Sequence, residues 1–172
     1  MPDRNRERAA ALLAACAVFC AVLLALGLVL QHVFDMQPCA WCVLQRLLFL
    51  LVGLACAAGA WVLRSRGARV GAALLAEAFA AAGLAAALYQ HLVAARSDSC
   101  VLTLADRIVM ALSLHEIAPS MFLATASCAD ANLPLLGVPF ALWSAAAFVL
   151  LMLGAGAVLR ALLRDGPQRQ AA

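Results

Sequence analysis

Charge is scarce in this chain, and lysine is missing altogether: all twelve basic residues are arginine. Only 12% of the residues are charged and 67% are hydrophobic, against roughly 25% charged and about 45–50% apolar in soluble proteins. That shortage excludes an ordinary soluble domain. A soluble fold of 172 residues with a mean hydropathy of +1.00 has too little interior to hide its apolar surface, so lipid must cover part of it. Other absences narrow the chemistry. There is no nucleotide-binding glycine motif, no haem-attachment sequence and no cluster of metal ligands. No internal repeat or low-complexity linker divides the chain. The net charge of +3 comes from short arginine groups beside apolar stretches, which is no nucleic-acid surface.

What is present is four long apolar stretches, about Ala9 to Leu30, Val43 to Leu63, Val70 to Val93 and Phe140 to Leu163. Each exceeds the ~20 residues a helix needs to cross a ~30 Å hydrocarbon core. In lipid the backbone must satisfy its own hydrogen bonds, so helix is the expected state. The first stretch is too long for the apolar part of a signal peptide, and no small-residue cleavage pattern follows it. The expected fold is a single all-α membrane domain over residues 1–172, a four-transmembrane-helix bundle.

Arginine sets the orientation. Arg4, Arg6 and Arg8, then Arg64, Arg66 and Arg69, then Arg160, Arg164 and Arg169 gather at one end. The positive-inside rule makes that end cytoplasmic, with both termini. The other end has Arg46, Arg96 and Arg107 beside Asp35, Asp98, Asp106, Glu116 and Asp130. Two outer loops follow, about 31–42 and 94–139. The longer mixes Leu104, Ile108, Met110, Leu112 and Leu114 with Asp106, Arg107 and His115. It is expected to carry a short amphipathic helix on the outer membrane surface, ended by Pro119.

Of seven cysteines, Cys39, Cys42, Cys100 and Cys128 fall in or beside the outer loops. In bacteria that compartment is oxidising, and two pairs suggest two disulfides. Cys16, Cys20 and Cys56 lie within apolar stretches and read as small packing residues. Cys39-Ala40-Trp41-Cys42 is the sharpest signal. A CxxC disulfide closes a small ring and tends to be redox-active. Cys42 begins a helix, where free N–H groups favour a thiolate. Arg46 follows one turn later on the same face, able to stabilise a thiolate or an oxyanion. A zinc half-site is the alternative; the lack of a second CxxC and the oxidising compartment favour redox chemistry. Snorkelling is the alternative for Arg46.

A dithiol at the membrane surface with no bound redox group in the sequence points to a lipid-soluble quinone as electron acceptor. His91 and His32 end helices at the depth of Arg46. His91 is a candidate second contact to a quinone carbonyl, and equally an interfacial polar cap beside Tyr89 and Gln90.

Several segments together carry a resemblance: Gln31-His32-Val33, Pro38-Cys39-Ala40-Trp41-Cys42, Arg46, Tyr89-Gln90-His91, the Cys100 and Cys128 pair, and Gly137-Val138-Pro139. Over nearly its whole length the chain resembles the disulfide bond formation protein B family of the bacterial inner membrane. The resemblance implies a thiol:quinone oxidoreductase that serves a DsbA-like periplasmic thiol oxidase and reduces ubiquinone or menaquinone. It implies that Cys100–Cys128 meets the soluble partner, with Cys100 in the mixed disulfide. Cys128 then passes electrons to Cys39–Cys42. Cys42 is the thiolate that reduces the quinone, and Arg46 and His91 position the ring. Gln45 precedes the arginine here, where the family often has an acidic residue. Two other classes remain open at this point: a quinone-linked enzyme with a different soluble partner, and a non-catalytic protein whose outer disulfides brace its loops.

Overall fold

The computed structural model describes residues 2–96 and 103–164. Helix α1 spans Pro2–Val33 and α2 spans Ala40–Ala57, closing in a π-helical stretch at Ala58–Val62. Helix α3 spans Arg66–Leu92. Three short helices follow, α4 at Leu104–Ala111, α5 at Leu114–Ile117 and α6 at Pro119–Phe122. A minimal hairpin, β1 at Pro134–Leu135 with β2 at Val138–Pro139, leads into α7 at Phe140–Arg164. α1, α2 with its π-helical end, α3 and α7 are each long and apolar enough to cross a membrane. The architecture is an all-α four-helix membrane bundle.

The helices outrun the apolar stretches at several ends. α1 runs back to Pro2 and α3 back to Arg66, because polar residues continue a helix beyond the hydrocarbon zone. Ser65 caps α3, its hydroxyl accepting the Ala68 N–H at 3.3 Å, which meets one of the donors a helix start leaves free. α2 begins at Ala40, ahead of the expected Val43, so Cys42 lies inside the first turn.

Lipid offers no hydrophobic drive between helices, so the bundle depends on close contact of small residues. Ala73, Ala76, Ala80 and Ala87 bury one face of α3 completely. At Gly83 an added Cβ would stand 2.2 Å from the Phe148 ring of α7. That ring in turn stacks on Phe49 of α2, centroids 4.0 Å apart. Gly59 admits Leu13 and Ala72, and Gly53 admits Cys20. The Cys16 and Cys56 thiols meet between α1 and α2, in keeping with a packing role. Val18, Val22, Leu26, Leu150 and Leu153 face outward, where lipid would cover them.

At the arginine-rich end, Arg66 donates to the Leu162 carbonyl and Arg69 to those of Leu63 and Arg6. Neither reaches Glu77, whose Oε2 is enclosed without a partner.

The long loop differs from expectation at Pro119. The amphipathic helix α4 ends at Ala111, stopped by Ser113 in a left-handed conformation (φ 50°). Pro119 instead opens α6 at its first position, where the missing N–H costs no hydrogen bond. Thr103 and Asp106 form a capping box that starts α4. Val109 of α4 and Phe122 of α6 then pack on Val43 of α2. This seats the loop on the cysteine end of the bundle.

Candidate functional site

The site grows from the start of α2. Cys39 is its N-cap, in an extended conformation (φ −88°, ψ 171°). That geometry leaves the Pro38 carbonyl facing the long loop, where it accepts the N–H groups of Thr125 and Ala126 at 3.0 and 3.2 Å. Thr125 also donates its hydroxyl to Gln37 at 2.9 Å. Pinned there, the loop carries Cys128 to Cys39, and the two thiols are hydrogen-bonded. The Trp41 backbone N–H at the head of α2 also donates to the Cys128 sulfur. On its other side Cys39 donates to the Cys42 sulfur, 3.3 Å away. Three sulfurs therefore stand in line: Cys128, Cys39, Cys42. All three are free thiols. Cys100 lies outside the described residues.

Electrostatics differentiate the line. Hydrogen bonding from Cys39 is the largest influence holding Cys128 below the ordinary thiol value. The contacts with Cys128 first and Cys42 second, between which its single S–H can be given, push Cys39 well up, and burial adds to the effect. Cys128 is thus the better nucleophile and Cys39 the thiol that keeps its proton.

Cys42 is held from a third direction. Gln90 on α3 donates its Nε2 to the Cys42 sulfur at 3.2 Å. Gln45 on α2 donates to Gln90 Oε1 at 2.6 Å. Both amides are buried, Gln90 completely. Sequence reading passed over this pair, taking Gln90 as part of an interfacial cap and Gln45 only as a departure from the family. The available signal was a primary amide inside an apolar helix, which needs a partner because lipid supplies none.

Arg46, one turn below Cys42, donates to Gln31 Oε1 at 2.6 Å, to the Met121 carbonyl at 3.0 Å and to the Gly27 carbonyl at 3.3 Å. It ties α1 and α6 to α2. All three acceptors are neutral, and they hold the guanidinium within the bundle. Cys42, Gln45 and Arg46 line one end of a cavity of about 880 Å³. Its remaining walls are largely apolar, from Leu23 and Leu30 of α1 and Phe34 just beyond it to Phe140 and Leu150 of α7, with Asp35 and Asp130 also in the lining.

The histidines do not join this cavity. His91 Nδ1 meets Asn132 Nδ2 at 3.3 Å, and Asn132 in turn accepts the Ala141 N–H at the head of α7. His91 thus braces the lead-in to α7. His32 is exposed at the end of α1. Trp41 is buried against Tyr89, ring centroids 4.6 Å apart, and does not line the cavity. No group of three His, Cys, Asp or Glu side chains suited to a metal occurs among the described residues.

A CxxC at a helix start, a third cysteine delivered to it by a loop, and a cavity lined in part by Arg46 thus stand together at one end of the bundle. A model of the family described as disulfide bond formation protein DsbB matches residues 7–158. The chain belongs to that family. It is 35% identical over 159 residues to disulfide bond formation protein B of Azoarcus sp. (strain BH72), covering 91% of this chain and 90% of the relative. Identity is 32% over 133 residues to disulfide bond formation protein B of Stutzerimonas stutzeri (strain A1501), covering 75% and 81%. It is 33% over 134 residues to disulfide bond formation protein B 1 of Pseudomonas aeruginosa strain PAO1, covering 76% and 82%. No solved structure matches. Family membership makes this a multi-pass membrane oxidoreductase of disulfide bond formation.

Proposed function

We propose that the protein is a thiol:quinone oxidoreductase of the bacterial inner membrane. It reoxidises a DsbA-like periplasmic thiol oxidase by passing electrons through two cysteine pairs to ubiquinone or menaquinone. In this reading the cysteine end faces the periplasm and both termini are cytoplasmic, as the arginine distribution favours. The observation that carries the proposal is Cys42: it touches Cys39 on one side and lines the Arg46 cavity on the other.

The reaction runs by thiolate exchange. The partner's thiolate attacks Cys100 of a Cys100–Cys128 disulfide, and Cys128 leaves. The partner's second thiol then releases Cys100 and closes the partner's disulfide, so two thiols have lost two electrons and two protons. Cys128 attacks Cys39 of a Cys39–Cys42 disulfide, expelling Cys42 as a thiolate. Its closeness to the Cys39 sulfur, and the Trp41 backbone N–H that donates to it, suit Cys128 to that attack. Cys100 then closes the loop disulfide on Cys128, leaving Cys39 and Cys42 reduced.

A quinone, when bound, supplies a two-electron, two-proton acceptor. The cavity suits one: its volume accommodates a substituted ring and part of a tail, its walls are apolar, and its polar end has Cys42 and Arg46 together. Cys42 would face the ring as electron donor, and the Arg46 guanidinium would hold a carbonyl oxygen and favour negative charge there. His91 stands outside the cavity wall, so its part in this reading is to brace the lead-in to α7.

The test is quinone reduction by the purified protein with the reduced soluble oxidase as donor, followed by loss of quinone absorbance. Catalytic consumption of quinone that depends on the donor is the expected result. A folded, inserted protein that leaves both donor and quinone unchanged would return the reading to disulfide bracing of loops.

A further inference from the structure

The reduced Cys42 that leaves in the exchange must be a thiolate, and it is buried. A buried anion without donors is costly. Three donors touch it here: the Cys39 thiol at 3.3 Å, the Cys39 backbone N–H and the Gln90 amide at 3.2 Å. The first is lost when it is most needed. When Cys128 has bonded to Cys39, Cys39 has no S–H to give. The Cys39 backbone N–H and Gln90 are then the donors that remain at the departing sulfur, and Gln90 is the side chain of the two.

An amide can present either its NH₂ or its oxygen. Gln45 removes the ambiguity, since its Nε2 donates to Gln90 Oε1 at 2.6 Å and so turns Gln90 Nε2 toward the sulfur. A thiolate only accepts, so this is the orientation that stabilises it. Both glutamines are neutral, and among the described residues no carboxylate is hydrogen-bonded to either amide or to the sulfur. Arg46, spread over Gln31, Met121 and Gly27, is left to act on the cavity side.

We propose that Gln90 is a positioning residue for the leaving thiolate, oriented by Gln45, and that this amide pair does the work of a fixed donor at Cys42. The inference rests on the reading above, in which Cys42 is the sulfur that passes electrons onward. The mechanism it refines keeps its balance: the Cys39–Cys42 bond breaks as the Cys39–Cys128 bond forms, and the electron pair stays on Cys42. A better-stabilised leaving thiolate departs faster.

The experiment uses the full-length protein carrying Cys39→Ala, which mimics the moment when the Cys39 donor is absent. Alkylation of Cys42 by a membrane-permeant maleimide is followed at neutral pH by site-resolved mass spectrometry. Gln90→Leu should slow it about tenfold or more, the worth of one hydrogen bond to a charged group. Gln90→Met, similar in length but with no N–H to give, should slow it as well. Gln45→Leu should act in the same direction but less. A purely structural role for the pair predicts the opposite sign, since loosened packing exposes the sulfur and speeds alkylation. Rates equal to or above the parent in both Gln90 variants would overturn the proposal. Failure of the underlying reading shows separately: a Cys42→Ser protein that still turns over quinone removes Cys42 from the electron path whatever the alkylation rates.

Discussion

Truncating Arg46 separates its structural and chemical roles. In Arg46→Ala the Gln31 amide oxygen and the Met121 and Gly27 carbonyls all lose their donor. Hydrogen bonds to a charged group contribute about 1.5–3 kcal/mol each, though not additively. α6 should loosen from the bundle, because the Met121 contact is its polar tie to α2. The chemical role is larger in effect. Losing one charge-assisted contact to a quinone oxygen, at about 1.5–3 kcal/mol, lowers kcat/KM for quinone by about ten- to a hundredfold. Arg46→Lys keeps the charge but replaces a planar fork that spans three acceptors with a single compact head. It should hold fewer of the three contacts and fall between wild type and Arg46→Ala. The assay is steady-state quinone reduction across a range of quinone concentrations, with single-turnover oxidation of the soluble partner as control. Both variants should still oxidise about one equivalent of partner, because the cysteine pairs are intact. An unchanged apparent quinone KM in a folded, inserted Arg46→Ala protein would refute the reasoning and reduce Arg46 to a structural tie.

Two further outcomes follow from the geometry. In the reduced protein, Cys128 should be alkylated with a pH midpoint below that of an ordinary thiol, and Cys39→Ala should move it upward, because the Cys39 hydrogen bond is the largest cause of the lowering; the stabilisation that contact gives the reduced state is present above the ordinary thiol value and is lost as pH falls through the lowered one. Gly83→Ala forces a methyl against Phe148 at 2.2 Å and should cost about 1–3 kcal/mol of stability, read as a lower midpoint in detergent-solubilised thermal unfolding, while Gly67→Ala, open on all sides, should cost far less.

Hydropathy made the four crossings legible because a run of apolar residues has one use at that length. Cys39, Cys42 and Arg46 were legible because their spacing is local: a helix turn places position 46 under position 42 without help from the rest of the fold. What depended on two helices meeting was not. Gln45 and Gln90 are joined only by the register of α2 against α3, and that register follows from contacts such as Gly83 beneath Phe148, which no spacing rule expresses. His91 is a related case. Its depth along α3 was readable, but its direction around the helix was not, and that direction takes it to Asn132. Pro119 was misread because a proline stops a helix or starts one according to whether its N–H would have been needed, and the stop at Ser113 came earlier.

The neutral amides at Cys42 and the cation at Arg46 make sense together. Among the described residues Arg46 makes no ion pair, although Asp35 and Asp130 line the same cavity, and Gln45 adds no carboxylate beside it, so at its own contacts the positive charge is unpaired. In a low-dielectric site such a charge is a standing cost unless an anion arrives. In the proposed reaction one arrives twice, first as the Cys42 thiolate and then on the acceptor in the cavity. A carboxylate at position 45 would neutralise Arg46 in advance and weaken its hold on both. A glutamine keeps the hydrogen bond that orients Gln90 and leaves the charge unspent. The substitution that looked like a departure from the family pattern is therefore coherent with the geometry: polarity near Cys42 is used for orientation, and the net charge is reserved for the side where the electrons leave.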